Sequence, residues 1–132
     1  MAALEPPAAR PRPVYLNLLA IRLPLPAFVS ILHRVSGVIL FLAGIPLLLW
    51  VVQGALPSAD AWAQMRGMIT QPFGKLVLIV LAWAYLHHFL AGIRHLLMDL
   101  HIGMTLAGGR RSGAIVLVLS VLLTLGVAIR LW

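Results

Sequence analysis

The sequence predicts an all-α integral membrane protein with three transmembrane helices. Three observations lead there. The 132 residues are 62% hydrophobic and only 10% charged. A soluble core of this size could not hide so much apolar surface, so lipid must solvate part of it. The apolar residues fall in three runs, 27–52, 75–98 and 113–132, of 26, 24 and 20 residues, and about 20 suffice to cross the hydrocarbon. None of the runs alternates polar and apolar residues as barrel strands do, and only helices or closed barrels satisfy their backbone groups in lipid. The expected organisation is one membrane domain over residues 1–132, with an N-terminal segment 1–26 ahead of the first helix.

The N-terminal segment begins MAALEPPAARPRP. Its Ala/Pro-rich composition is that of a disordered start, and it lacks the apolar core of a signal peptide. The first run carries Pro46, which removes a backbone donor and predicts a kink. In the stretch 53–74, Ser58 could cap a short surface helix whose Trp62, Met65 and Ile69 share a face, and an irregular loop fits equally well. Residues 100–112, with Gly103, Gly108 and Gly109, read as a short connection. The last run ends on Arg130 and Trp132, a pair suited to the membrane–water interface.

Basic residues set the orientation. Arg10, Arg12, Arg22, Arg110 and Arg111 fall on one side, and Arg66, Lys75 and Arg130 on the other, which favours a cytoplasmic N-terminus. The net charge of +7 is better explained by topology and anionic membrane lipid than by nucleic acid, because the basic residues lie mostly outside the apolar runs or at their edges. The chain has no cysteine. That excludes disulfides, thiolate metal sites and covalent haem attachment.

Ionisable side chains inside a bilayer cost free energy and usually face a partner or a cavity. Two groups of them occur here. In SILHRVSG, Ser30 and Arg34 share a helix face at i, i+4, with His33 beside them. Gly37 and Gly44 continue the Ser30 stripe and let a flat ligand or a helix approach the backbone. Arg34 could equally snorkel to headgroups. In HHFLAGIRHLLMD, His88, Gly92, His95 and Asp99 lie on one face. His88 is roughly 16 Å from Asp99 along the axis, near mid-membrane if Asp99 marks the boundary. A neutral imidazole beside Ala91 and Gly92 suits the axial position of a haem iron, and a hydrogen bond to a neighbouring helix explains it as well. His87 faces about 100° away. His33 is expected nearer the membrane edge than His88, so a second ligand to the same iron is expected from another chain.

The stretch RPVYLNLLAIRLPLPAFVSILHRVSG, 12–37, resembles the first signature of the cytochrome b subunit of succinate dehydrogenase: Arg-Pro, then Ser-x-x-His-Arg-x-Ser/Thr. HFLAGIRHLLMD, 88–99, resembles the second, His-x-x-x-Gly-x-Arg-His closing on Asp. The resemblance covers nearly the whole chain after residue 10. It implies a membrane-anchor subunit of respiratory complex II in the bacterial inner membrane. Such a subunit pairs with a second membrane-anchor subunit and docks an iron–sulfur subunit and a flavoprotein subunit. It shares a haem b with the second anchor and receives electrons for ubiquinone. The same match implies His88 as the haem-iron ligand and Ser30 and Arg34 on the quinone. It implies His33 and Arg34 at the haem propionates, and His95, Arg94 and Gly92 in the haem pocket. The chain alone is expected to be non-catalytic, with no flavin motif, no iron–sulfur cysteines and no dicarboxylate site, and to contribute part of an active site shared between the subunits of succinate dehydrogenase. A haem-free structural anchor and a fumarate reductase anchor working in reverse are the alternatives.

Overall fold

The computed structural model describes residues 22–132. The Ala/Pro-rich start with Arg10 and Arg12, and the first part of the first signature, lie outside the described residues. Four helices follow in order: α1, Leu25–Ala55; α2, Ala59–Ile69; α3, Pro72–Asp99; and α4, Leu106–Leu131. Helices α1, α3 and α4 are each long and apolar enough to cross a membrane. No strand occurs among the described residues.

Helix α1 starts after Pro24 and places Pro26 in its first turn, where a missing N–H costs nothing. The kink expected at Pro46 takes a specific form. Residues Leu40–Gly44 make a π-helical turn, in which Ile45 N–H reaches back to the Leu40 carbonyl, and α-helix resumes over Ile45–Ala55. Pro46 cannot donate to the carbonyl of Leu42, and its ring would crowd it. Widening the preceding turn accommodates both problems without ending the helix.

Helix α2 realises the surface-helix alternative. The Ser58 hydroxyl accepts from Ala61 N–H at 3.0 Å. Met65 is buried beneath Gly54 of α1, where any Cβ would collide with the Met65 methyl; Trp62 stays half-exposed.

Helix α3 ends in a complete C-terminal cap. His101 takes φ = 61°; its N–H reaches Met98 O at 2.9 Å, and Ile102 N–H reaches Leu97 O at 3.0 Å. These are the two bonds of a Schellman motif, with histidine in the position glycine usually holds. Helix α4 then begins seven residues earlier than the apolar run. The Thr105 hydroxyl accepts from Gly108 N–H at 3.0 Å, and this cap carries Gly108, Gly109, Arg110 and Arg111 into the helix. The connection 100–112 read from the sequence is therefore only 100–105. Hydropathy marks where lipid begins; the cap marks where the helix begins.

Helix α3 packs against both α1 and α4. Ala91 is fully buried between Val29 of α1 and Val116 of α4, with Leu90 and Leu117 around them. Gly113 is buried where α4 meets α1, with its Cβ position in ordinary contact with Val29 Cγ2 at 3.5 Å. In lipid such contacts gain little hydrophobic free energy. Close packing of small residues and interhelical hydrogen bonds carry the association. Arg94 supplies one of the latter. It is almost fully buried; its Nε donates to Ser112 Oγ at 3.0 Å and its Nη2 to Gly109 O at 3.5 Å. The end of α3 is thus tied to the start of α4. The antiparallel course also sets Pro26 against Gly109, so the ends bearing Arg22, Arg110 and Arg111 lie together. At the opposite end Lys75 Nζ sits 5.1 Å from the Trp132 ring centroid, a cation–π contact.

Candidate functional site

Two adjacent histidines on α3 point into different worlds. His87 is fully buried and faces α4, with its Nδ1 3.4 Å from Ser120 Oγ and its ring stacked 5.5 Å from Trp83. Ser120 Oγ donates to Leu117 O at 3.0 Å, so the hydroxyl proton is used and His87 Nδ1–H is the donor between the two. His87 Nε2 is buried without a hydrogen-bond partner. Helical geometry turns the next residue about 100°, and His88 faces α1.

His88 is fixed there on three sides. Its Nδ1 lies 3.0 Å from the His33 carbonyl and 3.3 Å from Ser36 Oγ. Its ring stacks on the His33 ring, with centroids 4.2 Å apart and planes 20° apart. Its edge rests on the bare backbone of Gly37: a Cβ there would stand 2.8 Å from His88 Cε1. A carbonyl can only accept, so Nδ1 carries the proton and Nε2 carries the lone pair. Among the described residues no hydrogen bond reaches that Nε2.

The His33 ring extends the cluster toward the end of α3. His95 lies 4.9 Å from it at a 45° tilt, and Gly92 lies alongside, its Cβ position 3.8 Å from His33 Nε2. The three imidazoles of His33, His88 and His95 form one continuous group. His95 Nδ1 is buried without a partner.

Beside this group α1 and α3 leave an open, shallow concavity of about 620 Å³, lined by His33, Arg34, Gly37, Val38, Phe41, Leu42 and His88. Its walls are apolar except for two imidazoles and one guanidinium. Arg34 is exposed at its edge, and Ser30 is half-buried one turn before Arg34. Such a surface can bind a flat apolar ligand and offer it a neutral nitrogen donor and a cation.

The structure thus brings together His33, His88, Gly92 and His95, with Arg34 at the rim. Arg94 turns away from them to Ser112 and Gly109. One expectation is corrected. His33 was placed nearer the membrane edge than His88, and instead the two rings are face to face. The helices run antiparallel: His33 lies eight residues in from Leu25 and His88 eleven in from Asp99, or about 12 and 16 Å. Those depths differ by only about 4 Å, so His33 is the shallower of the two but lies at a neighbouring level. Stacked side by side on one wall, the two rings cannot grip one iron from opposite faces. Two partners are not marked by any sequence pattern. Ser36 reads only as the last hydroxyl of the first signature, and Ser120 as one hydroxyl within an apolar run. In both cases the only signal is a hydroxyl at membrane depth.

Residues 8–127 match the family model described as succinate dehydrogenase/fumarate reductase transmembrane subunit. The chain is 34% identical over 122 residues to the succinate dehydrogenase cytochrome b556 subunit of Coxiella burnetii, covering 92% of this chain and 97% of that one. It is 35% identical over 112 residues to the protein of the same name from Paracoccus denitrificans, covering 85% of each, and 31% identical over 114 residues to that of Rickettsia felis. With the match spanning all three membrane helices and both histidine-bearing stretches, the chain belongs to the family of succinate dehydrogenase/fumarate reductase transmembrane subunits.

Proposed function

We propose that this chain is the membrane-anchor cytochrome b subunit of a succinate:ubiquinone oxidoreductase. It lies in a bacterial inner membrane as a multi-pass subunit with its N-terminus on the cytoplasmic side. It would assemble with a second anchor, an iron–sulfur subunit and a flavoprotein. The single observation that carries the reading is the state of His88: Nδ1 is held by the His33 carbonyl, and the lone pair of Nε2 is left for a metal. Ligating histidines characteristically give their other ring N–H to such an acceptor.

The surroundings fit a b-type haem. Gly37 supplies the clearance the His88 ring needs, which a Cβ would remove, and the walls of the concavity are apolar. When bound, the haem supplies a one-electron store within the membrane. The residues of this chain hold and orient it. His88 would hold the iron from this chain, and the second anchor would contribute a further ligand. His33 and Arg34 would meet the propionates, with His95 beside His33. Arg94 keeps the end of α3 in place through α4.

Ser30 and Arg34 serve the quinone. A hydroxyl donates to a quinone oxygen, and a guanidinium stabilises the negative charge that develops as electrons arrive. The end of the bundle that carries Arg22, Arg110 and Arg111 would face the docked soluble partner that delivers electrons, with Ser30 and Arg34 toward that end of α1.

The reduced-minus-oxidised optical spectrum of the purified complex tests the reading. His88→Ala removes or shifts the b-type absorption, and His87→Ala leaves it unchanged. A spectrum that survives His88→Ala and fails in His87→Ala would transfer the ligand role to the other histidine.

A further inference from the structure

Ser36 is fully buried on the face of α1 that meets His88. Its Oγ donates to the His33 carbonyl at 2.9 Å and lies 3.3 Å from His88 Nδ1, while Nδ1 is 3.0 Å from the same carbonyl. The three groups close a triangle. A hydroxyl bond to the carbonyl one turn back is ordinary for serine in a helix. The imidazole nitrogen arriving from another helix within reach of both oxygens is not. The single hydroxyl proton is committed to the carbonyl, so the hydroxyl oxygen, like the carbonyl, can only accept from Nδ1.

We infer that Ser36 is a positioning residue for His88: its hydroxyl gives Nδ1–H a second acceptor, off the axis of the His33 carbonyl, and so fixes both the tautomer and the rotation of the ring. This rests on the reading of His88 as an iron ligand. With one acceptor the ring can pivot about the line from Nδ1 to that oxygen. With two it is held in a plane, and Gly37 and the His33 ring bound the remaining freedom.

The chemistry selects the measurement. Removing the hydroxyl takes away one acceptor for Nδ1–H, and it also frees the carbonyl from a competing donor. These changes oppose each other in the donor strength of the imidazole, so the midpoint potential is a poor readout. Ring orientation has no such cancellation. The g-anisotropy of low-spin ferric haem depends on the planes of its axial rings.

The test uses the complete complex carrying Ser36→Ala or Ser36→Thr. Ser36→Ala removes one atom, and Thr retains a hydroxyl able to bond the same carbonyl. For Ser36→Ala we expect displaced ferric g values and haem lost to excess apomyoglobin about tenfold more readily, the lower end of outer-shell effects on metal sites. For Ser36→Thr we expect both to return toward the parent. Parent g values and parent haem retention in Ser36→Ala overturn the inference, as does Ser36→Thr behaving like Ser36→Ala. His88→Ala in parallel separates the two levels. If it leaves the parent signal intact, the ligand reading fails and takes this inference with it. If it abolishes the signal while Ser36→Ala changes nothing, only the role of Ser36 fails.

Discussion

Gly37→Ala should damage the site through a single methyl group. The added Cβ would stand 2.8 Å from His88 Cε1 and 3.3 Å from Nδ1. Carbon atoms rest at roughly 3.5–4.0 Å, so the ring must retreat by about 0.7 Å or more. It cannot retreat freely. The His33 ring is stacked on it at 4.2 Å, and Nδ1 is tethered at 3.0 Å. Moved directly away, Nδ1 would reach about 3.7 Å from its acceptor, beyond the ~3.2 Å limit of a good N–H···O bond. The lost bond costs about 0.5–1.5 kcal/mol, which alone is a factor of roughly 2–10 in haem affinity. Misorientation of the ligand adds to that. Haem per assembled complex, from the pyridine haemochrome and co-purification of the subunits, measures the effect. Gly44→Ala on the same helix is the control, because its nearest neighbour would be Leu40 Cδ2 at an ordinary 3.5 Å. Gly37→Ala with full haem content and parent spectrum would refute the argument that the His88 ring rests on this backbone.

Other consequences are separable. Ser30→Ala and Arg34→Ala should each lower succinate–quinone activity, by about tenfold or more for the charged donor, while succinate oxidation with an artificial flavin-level acceptor survives; equal loss of both activities would indicate failed assembly instead. His87→Phe should keep the haem spectrum and change thermal stability by no more than about 1 kcal/mol, since it removes a buried nitrogen that has no partner along with the weak bond to Ser120. Arg94→Met should lower thermal stability by roughly 1–3 kcal/mol by leaving the α3–α4 tie unmade. Arg94→Lys should recover little of that, because an ammonium cannot reproduce the two-pronged contact to Ser112 and Gly109. Differential scanning fluorimetry of the purified complex measures both Arg94 variants.

What could be read from the sequence, and what could not, divides along physical lines. Three membrane helices follow from hydropathy and length alone, because lipid leaves the backbone no other choice. The opposite facings of His87 and His88 follow from a 100° step, and the structure realises them as contacts to Ser120 and to His33. The neighbouring levels of His33 and His88 were not legible, because the apolar run starts at residue 27 and puts His33 only about 9 Å in, while Pro24 starts the helix at Leu25 and the crossing of α1 and α3 stacks the two rings. The start of α4 at Leu106 was hidden, because Gly108, Gly109, Arg110 and Arg111 read as a loop while the Thr105 cap makes them helical. The π-helical turn at Leu40–Gly44 was signalled only by Pro46, which predicts a disturbance without specifying its form. The cross-helix triangle of His33, Ser36 and His88 depends on the crossing of α1 and α3, which no local pattern encodes. Nor could sequence spacing show that Arg94 turns to α4 while its neighbour His95 turns to His33.

The most direct test of the account is a density map of the assembled complex at a resolution that shows side chains. The account predicts a haem seated against Gly37 with its iron bound by His88 Nε2, the opposite ligand from the second anchor, and Arg34 directed toward the propionates or the quinone. A map with His88 Nε2 bound to no metal and Arg34 reaching out among acyl chains would contradict it.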